Sequence, residues 1–147
     1  MRNFVPFTSD AEIEAVGRGF MERTLPKEHF SHAGHFATAL YLIVRHPEID
    51  PVRDMPAMIR AFNESVGGAN TDTAGYHETI TQASLRATRD FLSRRPRSES
   101  LHETCNHLMA SKLGDPNWLL EHWSRERLFS VEARRQWVEP DLQALPF

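Results

Sequence analysis

Three closely spaced histidines have a pattern that suits metal binding or proton transfer. The stretch HFSHAGH places His29, His32 and His35 three residues apart. If a helix opens at Ser31, His32 and His35 share one of its faces, whereas His29 falls in the preceding loop. Two imidazoles at this spacing can bind one divalent metal ion when a third ligand comes from another helix. Alternatively, each of them bonds to a carboxylate or faces water.

A second polar cluster is GYHETIT, residues 75–81. His77 would complete a three-histidine metal site with His32 and His35 if their two helices lie side by side with the same ends together. Glu78 lies about 100° further round the helix and cannot point at the same centre. Glu78 could act as a base, could hold the metal ligands in position through hydrogen bonds, or could be a first-turn acid favoured by the helix dipole. Without a metal, His77 and Glu78 could act as an acid–base pair near neutral pH.

Two arginines and two hydroxyl residues are the candidate substrate-binding groups. Arg125 and Arg127 lie in SRERLFS, where buried neighbours could fix an arginine so that it grips a carboxylate or phosphate. The same arginines could instead pair with nearby glutamates and pin the end of the chain. Thr81 could bond a ligand or the preceding turn. Tyr76 is assigned to substrate binding or, alternatively, to anchoring this turn in the core.

Composition excludes several functional classes. The chain has 147 residues and a net charge of −3, so its overall field does not favour nucleic acid or anionic lipid. Its single cysteine, Cys105, cannot form an internal disulfide. No apolar run reaches the roughly 18 residues of a membrane span, and the first residues lack a signal-peptide core. We therefore expect one cytoplasmic domain, residues 1–147. The sequence has no Gly-rich phosphate loop and no serine-hydrolase motif, so it gives no support for nucleotide binding or serine-hydrolase activity.

Helical spacing and capping signals predict an all-α fold that positions these groups. Six stretches have apolar residues at helical spacing, together with a residue suited to begin a helix. No stretch alternates as a half-buried strand does. We predict an antiparallel bundle of four or five main helices with a C-terminal extension packed on it. The predicted starts lie at or beside Ser9, Ser31, Pro56, Tyr76, Ser100 and Asp115, with Ser130 as the candidate cap of a further short turn.

The C-terminal stretch WVEPDLQALPF has two prolines and no helical period. Its apolar side chains would be exposed to water unless the stretch docks on the bundle. We therefore predict that Trp137 and Phe147 pack against the helices.

The motifs HFSHAGHFATALYL, GYHETIT, SRERLFS and WVEPDLQALPF together resemble those of a family of small, functionally uncharacterised bacterial all-α proteins. In that family F-[ST]-H-x-x-H, Y-H-E-T-[IL]-T and S-R-E-R-L-F-S recur in this order. The resemblance covers about residues 30–147 and implies no particular reaction. DinB-like four-helix bundles are more loosely similar; they bind metal through three histidines from two helices, in a pattern that ends in His-x-x-x-His. The site set implied by the family resemblance is Phe30, Ser31, His32, His35, Tyr76, His77, Glu78, Thr81, Arg125 and Arg127.

The leading hypothesis is a small cytoplasmic enzyme with a histidine-rich pocket at one end of the bundle. His32, His35 and His77 would hold a divalent ion of zinc, iron, manganese or nickel, and Glu78 would act as base or support the ligands. Arg125 or Arg127 would orient an anionic substrate. Lyase, isomerase and hydrolase chemistry all stay open.

The rival hypothesis is a non-catalytic module that binds a small ligand or a protein partner. It predicts dispersed histidines and an apolar surface patch near Trp118, Trp123 and Phe129. Under the leading hypothesis the partner is a small molecule, a homodimer is left open, and neither nucleic acid nor a membrane is expected.

Overall fold

The computed structural model describes residues 4–147, and every regular element in this range is helical. Short 3₁₀ turns at Lys27–His29, Lys112–Gly114 and Trp118–Glu121 connect the longer helices. Within the same range no helix is both long and apolar enough to cross a membrane. The all-α prediction is confirmed. The α-helices are α1 (Asp10–Glu22), α2 (His32–Arg45), α3 (Pro51–Ser65), α4 (Glu78–Ser93), α5 (Leu101–Ala110), α6 (Arg125–Leu128) and α7 (Val131–Arg135).

Serine caps begin several of these helices where the sequence predicts them. The first N–H groups of a helix have no partner inside it, and a serine oxygen just before the helix can accept from one of them. Each serine has extended backbone geometry, as a cap requires. The pairs of cap and donor are Ser9 with Glu12, Ser31 with Gly34, Ser100 with Glu103, and Ser130 with Ala133.

Helix α3 starts before the predicted Pro56, so that prediction is wrong. Asp50 is the cap, with its carboxylate 3.1 Å from the N–H of Val52, and Pro51 fills the first helical position. Pro56 therefore lies inside the helix, where it has no N–H to offer the carbonyl of Val52. The side chain of Gln82 donates to that carbonyl instead, at 3.4 Å.

Helix α2 is the central helix of the bundle. Its residues from Phe36 to Leu42 are all buried, and it contacts α1, α3, α4 and α5. The α1–α2 contact is close because Gly17 has no side chain. A Cβ atom at Gly17 would lie 2.1 Å from the ring of Tyr41. This packing holds the C-terminal half of α2 against α1.

The buried apolar side chains form two clusters. The first lies among α1, α2, α3 and α5, and it includes Phe20 and Leu40. The second lies between α4 and residues 118–147, which form the C-terminal extension. Helix α4 belongs to both, since Leu85 packs in the first cluster and Ala83 and Ala87 pack in the second. The extension is thus a second layer on the bundle.

The end of the chain folds back over the second cluster. The indole N–H of Trp123 donates to the carbonyl of Val138 at 3.0 Å. The rings of Trp118 and Phe147 are 6.3 Å apart, and Trp137 also packs on this cluster. The predicted docking of Trp137 and Phe147 is confirmed.

Candidate functional site

A cavity of about 410 Å³ lies at the junction of the two clusters. Residues of α2, α3, α4 and α6, together with residues 116–120, form its walls. Members of both clusters line it, including Phe36 and Met55 from the first and Trp118 and Leu128 from the second. Natural small-molecule sites have volumes of roughly 300–1,000 Å³. The cavity is therefore the candidate functional site.

Of the eight residues given a catalytic, substrate-binding or metal-binding role, five line this cavity and three do not. The extension closes one wall, so residues far apart in the chain meet here. Glu78, Arg125 and Arg127 do not contribute to the lining. The five that do are His32, His35, Tyr76, His77 and Thr81.

His77 caps helix α4 and does not lie in its first turn as predicted. The N–H of Ile80 donates to Nδ1 of His77 at 3.1 Å, which leaves the proton of the neutral ring on Nε2. That nitrogen donates to the carbonyl of Leu128 at 2.7 Å. Burial lowers the pKa of His77, so the ring stays neutral at neutral pH. Both ring nitrogens are used by the fold and neither is free for a metal ion or a substrate proton.

His32 and His35 differ in what holds them. Nε2 of His32 donates to the carbonyl of Leu113 at 2.7 Å, which ties the start of α2 to the segment after α5. The ring of His35 stacks on Phe30 with centroids 3.9 Å apart. His35 is exposed and lines the cavity, yet protein surrounds it on most sides. This surrounding protein, with His32 nearby, lowers the pKa of His35 to about 4 by disfavouring the imidazolium.

The three histidines share a cavity but do not fit a metal centre. No group of three His, Cys, Asp or Glu side chains among residues 4–147 is arranged to hold a metal ion. His77 has both nitrogens in hydrogen bonds within the protein, and Nε2 of His32 is also used. In this structure His32, His35 and His77 are not arranged as a ligand set, because helix capping and the backbone carbonyls of Leu113 and Leu128 use three of their nitrogens. Metal binding stays a prediction.

Glu78 belongs to a hydrogen-bond network beside the cavity. Its carboxylate accepts from the hydroxyl of Tyr76 and, at 3.4 Å, from the side chain of Gln82. Burial, reinforced by Glu78, raises the pKa of Tyr76 well above its ordinary value. Hydrogen bonding with Thr81 and the charge of Arg60, which lies 4.4 Å from the Tyr76 ring, act in the opposite direction. Tyr76 therefore stays protonated and donates to Glu78.

One of the two arginines of SRERLFS, Arg127, anchors the end of the chain. Arg125 is exposed at the start of α6. Nε of Arg127 donates to the carbonyl of Glu139 at 2.6 Å. Beside it, the backbone N–H of Ser124 donates to the carboxylate of Asp141 at 2.8 Å. Arg127 thus pins the end of the chain, as the structural alternative expects, but through a backbone carbonyl and not through a glutamate side chain. Neither arginine lines the cavity.

The loop before α4 forms one edge of the cavity and is tied down from two sides. Gly75 has a φ of +82°, which a glycine adopts without strain. The side-chain oxygen of Asn70 accepts from the N–H of Tyr76 at 3.0 Å. From α7, Arg134 donates to the carbonyl of Gly75 at 2.9 Å, and Arg135 pairs with Asp72. The C-terminal extension thus holds this loop in place.

The described lining is uncharged and mainly apolar. It contains no Asp, Glu, Lys or Arg. Several hydrogen-bonding groups of the lining were not recognised in the sequence. Thr81, Ser84 and Thr88 recur at helical spacing along α4, and this polar stripe is the signal that could have found two of them. The unrecognised polar residues are Asn63, Ser84, Thr88 and Asn117.

The aromatic patch of the rival hypothesis is mostly buried. Trp118 and Trp123 lie inside the second cluster, and of the three named residues only Phe129 is exposed, with 54% of its surface accessible. Phe129 also lines the cavity. These aromatic residues therefore belong to the extension core and the cavity wall and do not form a continuous surface patch.

Comparison with protein-family models, with curated proteins and with solved structures gives no match for this chain. The resemblance to the small bacterial family therefore stays a prediction. Arguments about function rest on the cavity and its lining.

Proposed function

We propose that the protein binds an uncharged, largely apolar small molecule in the cavity between the bundle and the extension. The observation that carries this proposal is a cavity of about 410 Å³ without Asp, Glu, Lys or Arg in its lining. A charged ligand would lose its hydration there without gaining a partner of opposite charge. The anionic substrate expected from the sequence is therefore not favoured, since Arg125 and Arg127 lie elsewhere.

Binding has more support than proton transfer. An acid–base pair of His77 and Glu78 would need a free nitrogen on His77, but the N–H of Ile80 and the carbonyl of Leu128 occupy both. A proton-transfer role would pass to His35. With a pKa of about 4, His35 would be a weak base at neutral pH, because general bases work best with a pKa near the operating pH.

A fluorescence titration with two dyes tests the proposed function. Prodan is an uncharged naphthalene ketone, and anilinonaphthalene sulfonate is a similar dye with a negative charge. We expect prodan to bind wild-type protein stoichiometrically, with a blue shift of its emission. The anionic dye should bind about tenfold more weakly or worse, a difference of roughly 1.4 kcal/mol. Equal binding of both dyes would contradict an uncharged site.

Variants that fill the cavity locate the binding. Ala39 lines the cavity from α2 and Ser84 lines it from α4. Either Ala39→Phe or Ser84→Phe should weaken prodan binding by about tenfold or more, because the added ring occupies the space of the ligand. Ala57→Phe is the matched control, since Ala57 is exposed on α3 and does not line the cavity. Unchanged binding by both filled variants would place the dye elsewhere.

A further inference from the structure

Three stacked rings lead from the core to the cavity. The rings of Phe20 and Phe30 are 5.0 Å apart and 25° from parallel, and those of Phe30 and His35 are 3.9 Å apart and 26° from parallel. Phe20 is buried, Phe30 is partly buried, and His35 is exposed. Phe62 packs its edge on Phe30 at 4.8 Å. The stack is therefore fixed at its inner end and open at its outer end.

The outer ring of the stack borders the cavity. Both Phe30 and His35 belong to the cavity lining. Phe30 stacks on one face of the imidazole, and His35 is an exposed residue that lines the cavity, where a ligand can contact it. Aromatic rings prefer offset-stacked or edge-on partners over aliphatic contacts of the same area. A flat ring is thus the natural next layer.

We propose that the ligand of this cavity carries a planar aromatic ring that stacks on His35, together with one uncharged hydrogen-bonding substituent. The substituent follows from the side chains of Asn63, Thr81 and Asn117 in the lining, which supply both donors and acceptors. This inference rests on the proposed function, since it specifies the chemical class of a ligand for the same cavity.

Calorimetric titration with a matched pair of probes tests the inference. β-Naphthol and its decahydro analogue share one carbon skeleton and one hydroxyl group, and only β-naphthol is flat. The quantity of interest is the ratio of their dissociation constants. In His35→Leu the preference for β-naphthol over the decahydro analogue should fall by roughly two- to tenfold, the fold-change that corresponds to one lost aromatic pair. In His35→Phe the preference for β-naphthol should be kept.

Two comparisons decide the outcome. His107→Leu is the control, because His107 is exposed on α5 and does not line the cavity, and its ratio should equal that of wild type. An unchanged ratio in His35→Leu, or a lost preference in His35→Phe, overturns the inference while prodan binding still supports the proposed function. If neither probe nor prodan binds folded wild-type protein, the proposed function fails and the inference fails with it. Circular dichroism confirms that each variant is folded.

Discussion

His77 illustrates at the scale of one residue how a side chain can border a cavity and still belong to the fold. Its ring joins the first turn of α4 to the end of α6 through Ile80 and Leu128. A sequence motif such as YHET shows that a histidine is present beside an acid. Whether its nitrogens are free depends on hydrogen-bond partners that the motif does not contain.

Replacing His77 should destabilise the protein. His77→Ala removes the cap of α4 and leaves the carbonyl of Leu128 without its donor, so we expect a loss of about 2 kcal/mol in the free energy of unfolding. His77→Asn keeps a good capping group but cannot make the same bond to Leu128, and it should lose less. Urea unfolding followed by circular dichroism measures both. Equal stability of wild type and His77→Ala would refute the capping role.

A metal test follows from the same hydrogen bonds. Since His77 has no free nitrogen, protein incubated with zinc, iron, manganese or nickel salts should hold well under one ion per chain after dialysis, and His77→Ala should hold no less than wild type. Plasma mass spectrometry of tag-free protein measures the metal content. Stoichiometric metal in wild type that disappears in His77→Ala would restore the three-histidine centre.

At the scale of elements, the loop between α3 and α4 depends on its glycines in two different ways. Gly67 and Gly75 both have positive φ values, +85° and +82°. A Cβ atom at Gly67 would meet nothing within 4 Å, whereas at Gly75 it would lie 2.1 Å from the carbonyl oxygen of Ala69. The two positions therefore separate backbone strain from steric clash.

Alanine at Gly75 should cost more stability than alanine at Gly67. Gly67→Ala pays only for the left-handed backbone, about 1 kcal/mol. Gly75→Ala also displaces the loop from the cavity edge, and we expect about 2 kcal/mol more, a typical cost of overpacking. Chemical denaturation compares the pair, and Gly75→Ala should also weaken prodan binding. Equal stability of the two variants would show that the loop can move away from the added Cβ atom without a cost in stability, which would contradict the predicted clash with Ala69.

The junction of α4 and α5 carries an acid that should make stability depend on pH. The guanidinium of Arg95 lies 2.9 Å from the carboxylate of Glu99, which also accepts from the hydroxyl of Thr104 at 2.7 Å. The hydrogen bonds from Arg95 lower the pKa of Glu99 from 4.5 to about 2. Because the folded state holds the charged form, Glu99 stabilises the protein above pH 4.5, and this contribution disappears as the pH falls towards 2.

Glu99→Gln should therefore make the free energy of unfolding depend less on pH between about pH 4.5 and pH 2. We expect the variant to be less stable than wild type at neutral pH, and the difference to shrink as the pH falls from 4.5 towards 2. Unfolding by urea at several pH values measures this. Glu64→Gln is the control, since Glu64 is exposed on α3. A difference that is constant over the same range would contradict the linkage.

At the scale of the whole molecule, the cavity exists because two cores meet without merging. Helix α4 faces both clusters, and Leu113 packs against both as well. These shared residues join the extension to the bundle beside the cavity. A ligand in the cavity would contact both layers at once, so its binding should stabilise the junction between them.

The bundle and the extension should unfold together. All three tryptophans of the chain, Trp118, Trp123 and Trp137, lie in or against the second cluster. Their fluorescence therefore reports the extension, whereas far-ultraviolet circular dichroism reports mainly α1 to α5. Because α4 is shared, the two signals should give one midpoint in urea. Loss of fluorescence before loss of helix would show that the extension is a separate folding unit.

Local features of the sequence sufficed to predict the helical class, most helix starts and the docking of Trp137 and Phe147. The causes of the helix starts act over a few residues, as when Ser31 caps a helix that begins at the next position. Pro56 shows the limit of such signals, because Pro51 meets the same rule for a first helical position and Asp50 supplies the cap.

Tertiary structure alone decided which polar groups of the motifs are free to act. The carbonyl groups that accept from His77 and His32 lie 51 and 81 residues away in the chain, and Arg127 binds the carbonyl of Glu139 beyond its own motif. No spacing rule reports such bonds, because they depend on how the extension packs against the bundle. The same packing excludes Arg125, Arg127 and Glu78 from the lining, and thereby makes the cavity uncharged.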